Sequence, residues 1–230
     1  MATRGNARWV RGLGVAMVGL ASLATFAAAP GCAEDETMLY VRAIVPPTRG
    51  CGFDGTVDAN VITLTWGMLD WSCKKEYSAN ILVANTMQRN ASNEIRRTDA
   101  NRIQIQTIEV NAVLPGGAVV AYDLPATAVI EPADGNTPGY AVLSVPLLPY
   151  RKIEYSRIPG AGLVKQVDFE IRVKGKTLGG REVTSGTFLF PVRIGEGILG
   201  AGGGEAGATG TCVGQDFYYA DPNTCPNPGQ

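Results

Sequence analysis

From Met38 to about Ile194 the apolar positions follow a period of two, and the stretch reads as a succession of β-strands. Leu39, Val41, Ala43 and Val45 alternate until Pro46-Pro47 stops the run. Val61-Ile62-Thr63-Leu64-Thr65-Trp66 is β-branched and aromatic, and predicts a second strand. Ile81, Leu82 and Val83 centre a third within Tyr77–Met87. Ile103 and Ile105 alternate with glutamines, the phase slips at Thr107, and Ile108 and Val110 take over. A one-residue slip of this kind predicts a β-bulge or a change of sheet. Val119–Leu124 and Ala141–Leu147 are further strands. The clearest is Val167–Lys174, apolar at every odd position and charged at every even one, a strand with one face in water. Gly175–Gly180 turns the chain, and Phe188, Phe190, Val192 and Ile194 line the return strand, with Pro191 marking an edge or bulge. Helix signals are poor; the best, Ser92–Arg97, is short. The pattern predicts an all-β, antiparallel sandwich over 38–194, with a closed barrel as the alternative. Its strand spacing is similar to that of immunoglobulin-like and fibronectin-like domains, without the Cys…Trp…Cys pattern of antibody domains.

The N-terminus follows a different pattern. Arg4, Arg8 and Arg11 precede Leu13–Ala29, which carries no charge, and Ala29-Pro30-Gly31-Cys32 leads into the acidic Glu34-Asp35-Glu36. A basic start, an apolar run and small residues before a cut describe a secretory signal peptide. Cys32 directly after Gly31 resembles the lipobox of bacterial lipoproteins, although Ala29 stands where that pattern prefers Leu. The resemblance covers about 32 residues. It implies cleavage before Cys32, acyl chains such as palmitate on its thiol and attachment to a membrane, with Ala33 after the cysteine implying the outer membrane. Two or three chains, at about 0.8 kcal/mol per buried methylene, hold a protein firmly. The expected organisation is a signal peptide (1–31), a short lipid-anchored tether (32–37), the sandwich (38–194), a Gly-rich linker (195–210) and a Cys-closed tail (211–230).

Loss of residues 1–31 removes three arginines and no acid, leaving a net negative chain without a basic cluster, so nucleic acid is not an expected partner. Cys51, Cys73, Cys212 and Cys225 remain, an even number in an exported chain, and predict disulfides. Three pairings are open; Cys51–Cys73 and Cys212–Cys225 are favoured because the glycine-rich stretch separates the pairs, each bridge contributing on the order of 3 kcal/mol. Their spacing does not suit a zinc site, and no metal or cofactor is expected.

The chain has no histidine, which removes imidazole-activated nucleophiles and histidine-ligated metals. An enzyme here would need carboxylate, Lys, Tyr or Ser-Lys chemistry, and none is signalled. Asp54, Asp58 and Asp70 lack a calcium-loop rhythm and are expected to be solvated loop acids. Asn80 and Asn85 are expected to hydrogen-bond loop backbone. Gly175-Lys176-Thr177-Leu178-Gly179-Gly180 precedes a strand and is no phosphate loop. The expected function is non-enzymatic: an envelope lipoprotein that binds or scaffolds an envelope protein of unknown identity. The alternative is a carbohydrate-binding module for peptidoglycan or surface polysaccharide, which requires an exposed coplanar aromatic pair, Trp71 with Tyr77. The favoured reading of these aromatics is instead that Trp66 is core and Trp71 packs beside the first disulfide.

Overall fold

The computed structural model describes residues 38–46, 63–71, 74–90, 99–153, 164–196 and 198. The chain divides into residues 1–33 and 34–230, and every described residue belongs to the second unit. Among the described residues there is no helix, and nine strands form two sheets: β1 (Leu39–Val45), β2 (Gly67–Asp70), β3 (Tyr77–Asn85), β4 (Ile103–Val113), β5 (Val119–Ile130), β6 (Gly139–Leu148), β7 (Lys165–Thr177), β8 (Glu182–Thr184) and β9 (Phe188–Gly195). The small sheet runs β1-β3-β6 and the large one β2-β9-β7-β4-β5, with β8 paired to β7. All strand pairings are antiparallel except β2 with β9. One apolar core joins the inward residues of both sheets, among them Tyr77, Ile81, Ile108, Val110, Phe169, Ile171 and Phe190. The expected all-β, sandwich-like architecture is therefore present.

The slip seen at Thr107 is a bulge. Inward Ile105 and Ile108 of β4 are three residues apart, whereas their β7 partners Gly175 and Val173 are two apart and their β5 partners Ala128 and Leu124 four apart. Both neighbours keep strict alternation, so β4 alone shifts phase, as bulged strands do. Gly175 sits at this crossing because a Cβ there would lie 2.7 Å from the Gln104 carbonyl oxygen.

β1 also carries a bulge, between Val41 and Ala43, which the simple alternation did not predict. Arg42 is the extra residue, and Ile44 rather than Ala43 or Val45 then joins the inter-sheet core. β3 is buried on both faces: Leu82 and Ala84 face away from the core and are nonetheless buried. That explains its continuous rather than alternating apolar run.

Two expectations shift along the chain. Among the described residues the second strand begins at Gly67, after the β-branched run, and within residues 63–66 Leu64 makes a bridge to Ile44. β7 continues through Thr177, so the predicted turn begins only at Leu178, and the three-residue β8 follows it. Pro191 pairs with Asp168 of β7 and lies just before the β2 pairing begins at Val192, so β9 is an edge at that position. Ser92–Arg97 lies outside the described residues.

Candidate functional site

Cys32, Cys51, Cys73, Cys212 and Cys225 lie outside the described residues, as do Asp54 and Asp58. Asp70 is not a solvated loop acid. It lies in β2 and is buried. Among the described residues no cluster of metal-ligating side chains forms.

Trp71 and Tyr77 are 5% and 0% exposed. Trp71 lies against the Tyr150 ring at 6.0 Å, with the Lys75 ammonium 5.2 Å from its centroid. Tyr77 packs on Phe190 at 6.1 Å and presses so closely on Gly67 that a side chain there would collide with its ring. The two aromatics do not form an exposed coplanar pair, so the alternative reading of Trp71 with Tyr77 as a sugar platform is corrected. β3 turns Tyr77 into the core, and β2 runs Trp71 under the loop that carries Tyr150. Trp66 is half-buried rather than core, with the Arg193 guanidinium 4.9 Å above its ring.

The two ends of the sandwich have different chemistry. At the end where β1 starts, polar groups satisfy one another. Asn85, fully buried, donates from Nδ2 to the Asn101 carbonyl (2.9 Å) and accepts the Met87 amide at Oδ1 (3.0 Å). Asp99 accepts the amides of Asn90 and Asn101, and Asn101 donates to the Gln88 carbonyl. Thr86 donates its amide to the Met38 carbonyl, which fixes the start of β1 to this cluster. Arg102 and Glu131 form a bidentate pair at 2.8–3.1 Å. The expected role for Asn85, bonding loop backbone, is met.

The opposite end is closed by Tyr122, whose hydroxyl donates from β5 across to the Leu147 carbonyl of β6. Burial raises the Tyr122 pKa well above the ordinary phenol value. Val119, Tyr150 and Val164 are exposed at this end. In the adjoining half of the large sheet, a shallow groove of about 490 Å³ opens on the outer face. Its rim is Val113, Gln166, Asp168, Glu170, Leu189 and Pro191, with Phe190 beneath.

β7 supplies the groove's polar side and shows a sharp division of charge. Arg172 and Lys174 both reach Glu109, at 3.3 and 2.6 Å. Earlier on the same face, Asp168 and Glu170 have only neutral partners among the described residues: Gln166 donates to Asp168 (2.7 Å) and Asn111 to Glu170 (3.2 Å). Arg193, across from Gln166, is held over Trp66. Two carboxylates without a cation therefore stand beside Leu189, which is 65% exposed. The alternation of β7 predicted its outward charges. The apolar wall comes from β4 and β9 by long-range pairing, for which one strand's pattern carries no signal.

No family model matches the chain, and no curated protein matches it. Among solved structures, the solution structure of a putative late embryogenesis abundant (LEA) protein is similar over 69% of this chain and 71% of that chain, at 10% identity and a TM-score of 0.36. A likeness at that score carries no functional content.

Proposed function

We propose that this chain is an envelope lipoprotein, anchored by acyl chains on Cys32, whose immunoglobulin-like sandwich is a non-enzymatic binding module. It engages another envelope protein through the outer face of the large sheet, in the half remote from the anchor, and the outer membrane is the membrane that Ala33 favours. The observation that carries this reading is the direction of the sandwich. β1 starts at Leu39, seven residues after Cys32, while the groove lies toward the far end. Fully extended, the stretch from Cys32 to Met38 reaches about 20 Å. The 13 residues of β7 span about 40 Å. A reach about half the length of β7 suits a module whose β1 end is the end nearer the anchor.

The groove's chemistry names the partner's. Two carboxylates without cations among the described residues, beside exposed Leu189 and half-buried Val113, suit a protein segment that carries Lys or Arg next to an apolar side chain. Its shallow form suits a macromolecule more than an enclosed small ligand.

Two measurements test the reading. Mass spectrometry of the mature N-terminus, with Cys32→Ala as control, is expected to show an acylated Cys32; an uncut or unmodified N-terminus overturns the anchor. Crosslinking in detergent-solubilised membranes is expected to recover a partner with the native chain and lose it with Asp168→Lys/Glu170→Lys. Identical recovery with both overturns the groove.

A further inference from the structure

We infer that the protein engaged by the outer face of the large sheet is a second copy of this chain, packed face to face about a two-fold axis that crosses the middle of β7. The inference rests on the reading of that face given above and names its partner.

The strand register lays this face out in rows, with β4 joining β5 to β7. Through Val113, Val119 is level with Asp168, and through Asn111, Ala121 is level with Glu170. Glu109 joins Asp123 to Arg172 in the middle row. Thr107 joins Pro125 to Lys174, and Gln104 joins Val129 to Lys176. Successive rows are two residues apart on β7. A two-fold axis along the middle row reverses the strands, exchanging the first row with the fifth and the second with the fourth. Asp168 of each copy then faces Lys176 of the other, and Glu170 faces Lys174. Val119 faces Val129, which are 58% and 52% exposed, and Ala121 faces Pro125. Acid meets base and apolar meets apolar in both exchanges, and each contact occurs twice, as a self-complementary interface requires.

The remaining charges on the face allow this fit. Lys176 is exposed and forms no ion pair among the described residues, although Glu182 is opposite it in the β8 ladder. Glu109 is matched within its own copy by Arg172 and Lys174. Asp123 meets its own copy near the axis, but on an exposed edge strand, where salt screens the repulsion. Arg193 at one end is stacked on Trp66, and Arg181 lies in the turn beyond Lys176 at the other. With both counted, acids and bases on these strands and the turn are equal in number, so two copies meet without net charge. From Asp168 to Lys176 the rows span about 27 Å, and four strands span about 19 Å. Such a face covers roughly 500 Å² of each copy, the scale of a reversible contact rather than a permanent one.

Sedimentation of the full chain in detergent, from about 1 to 100 μM, is expected to show a reversible dimer. Asp168→Lys alone and Lys176→Glu alone should each weaken it about tenfold or more, because each sets like charges together at both symmetric contacts. An equimolar mixture of the two variants should recover association to within about twofold, since acid and base again meet at both contacts. That recovery also shows that both variants are folded. A native chain that stays monomeric, or a mixture as weak as its components, overturns the second copy as partner. If the native chain is monomeric and Asp168→Lys/Glu170→Lys still loses a crosslinked membrane protein, the groove reading stands and its partner is a different protein. If that double variant keeps the crosslinked protein, the groove reading falls as well.

Discussion

The two ends of the sandwich use polar groups in opposite ways. Where β1 begins, Asn85, Asp99 and Asn101 bond the backbone of loops 86–90 and 99–101, and Arg102 is clamped by Glu131. In the far half of the large sheet, Asp168 and Glu170 meet only amides, and Leu189 stands exposed beside them. The first region spends its polar groups on holding loops together. The second leaves charge and apolar surface unspent. Substitutions should therefore cost stability at the first and binding at the second.

Asn85 offers the strongest way to break that contrast. Asn85→Ala leaves the Met87 amide and the Asn101 carbonyl without their partners at a buried site. An expected loss of about 2–3 kcal/mol follows from stranding groups that water cannot reach. Urea unfolding measures it. A loss below about 0.5 kcal/mol would mean that the network is decoration and that the two ends do not differ in this respect.

Tyr122 sharpens the contrast from the far end. Its single hydroxyl bond to Leu147 predicts that Tyr122→Phe costs about 1 kcal/mol at neutral pH, less than Asn85→Ala, because only one bond is lost. The same group gives a pH signature. Burial raises its folded pKa above the unfolded value of about 10. The unfolded chain then releases its proton first, so the contribution is complete below about pH 10 and is lost as pH rises beyond it. Unfolding between pH 8 and 11 should show a steeper decline in the native chain than in Tyr122→Phe. Parallel curves would remove Tyr122 as the cause.

Much of this fold is legible in the sequence, because half-buried strands announce themselves by alternation. β7 and β9 read directly, and the slip at Thr107 marked the β4 bulge. The misses have physical causes. β2 is buried at all four positions and has no polar face to alternate with. β8 is three residues long and exists through its pairing with β7. Arg42 shifts β1 without disturbing its composition. β5 runs through Pro125 to Ile130, beyond the expected Val119–Leu124. Counting along the ladder from the Leu114 amide to the Ala118 carbonyl puts Pro125 in a non-hydrogen-bonded pair with Thr107. Its ring nitrogen thus faces the open edge, where the missing donor costs no ladder bond and guards against strand addition. The candidate site was half legible. The carboxylates of β7 were visible as a polar face, but the presence of Leu189 and Val113 beside them depends on strand order. For Trp71 and Tyr77, residue type alone did not reveal that both point inward.

A smaller effect is expected at Arg102. Its pair with Glu131 has good geometry, but the carboxylate is half exposed, so Arg102→Ala should cost about 0.5 kcal/mol, and less at high salt. A loss as large as that from Asn85→Ala would move the weight of this end from buried amides to surface charge.

The smallest change in stability is expected in the groove, and it is the most informative. Asp168→Asn and Leu189→Ala remove no ion pair, and Leu189 contributes little burial. Each should shift unfolding by no more than about 0.5 kcal/mol in either direction. Asp168→Asn should err toward stabilising, since it relieves repulsion with Glu170 on the same face of β7. Residues shaped for the fold's own sake should cost it something when removed, and residues kept for a partner should not. If both variants unfold like the native chain yet lose the crosslinked partner, the groove's charge and exposed leucine serve binding. If either destabilises the sandwich by as much as Tyr122→Phe, they serve the fold, and the division of labour between the two ends disappears.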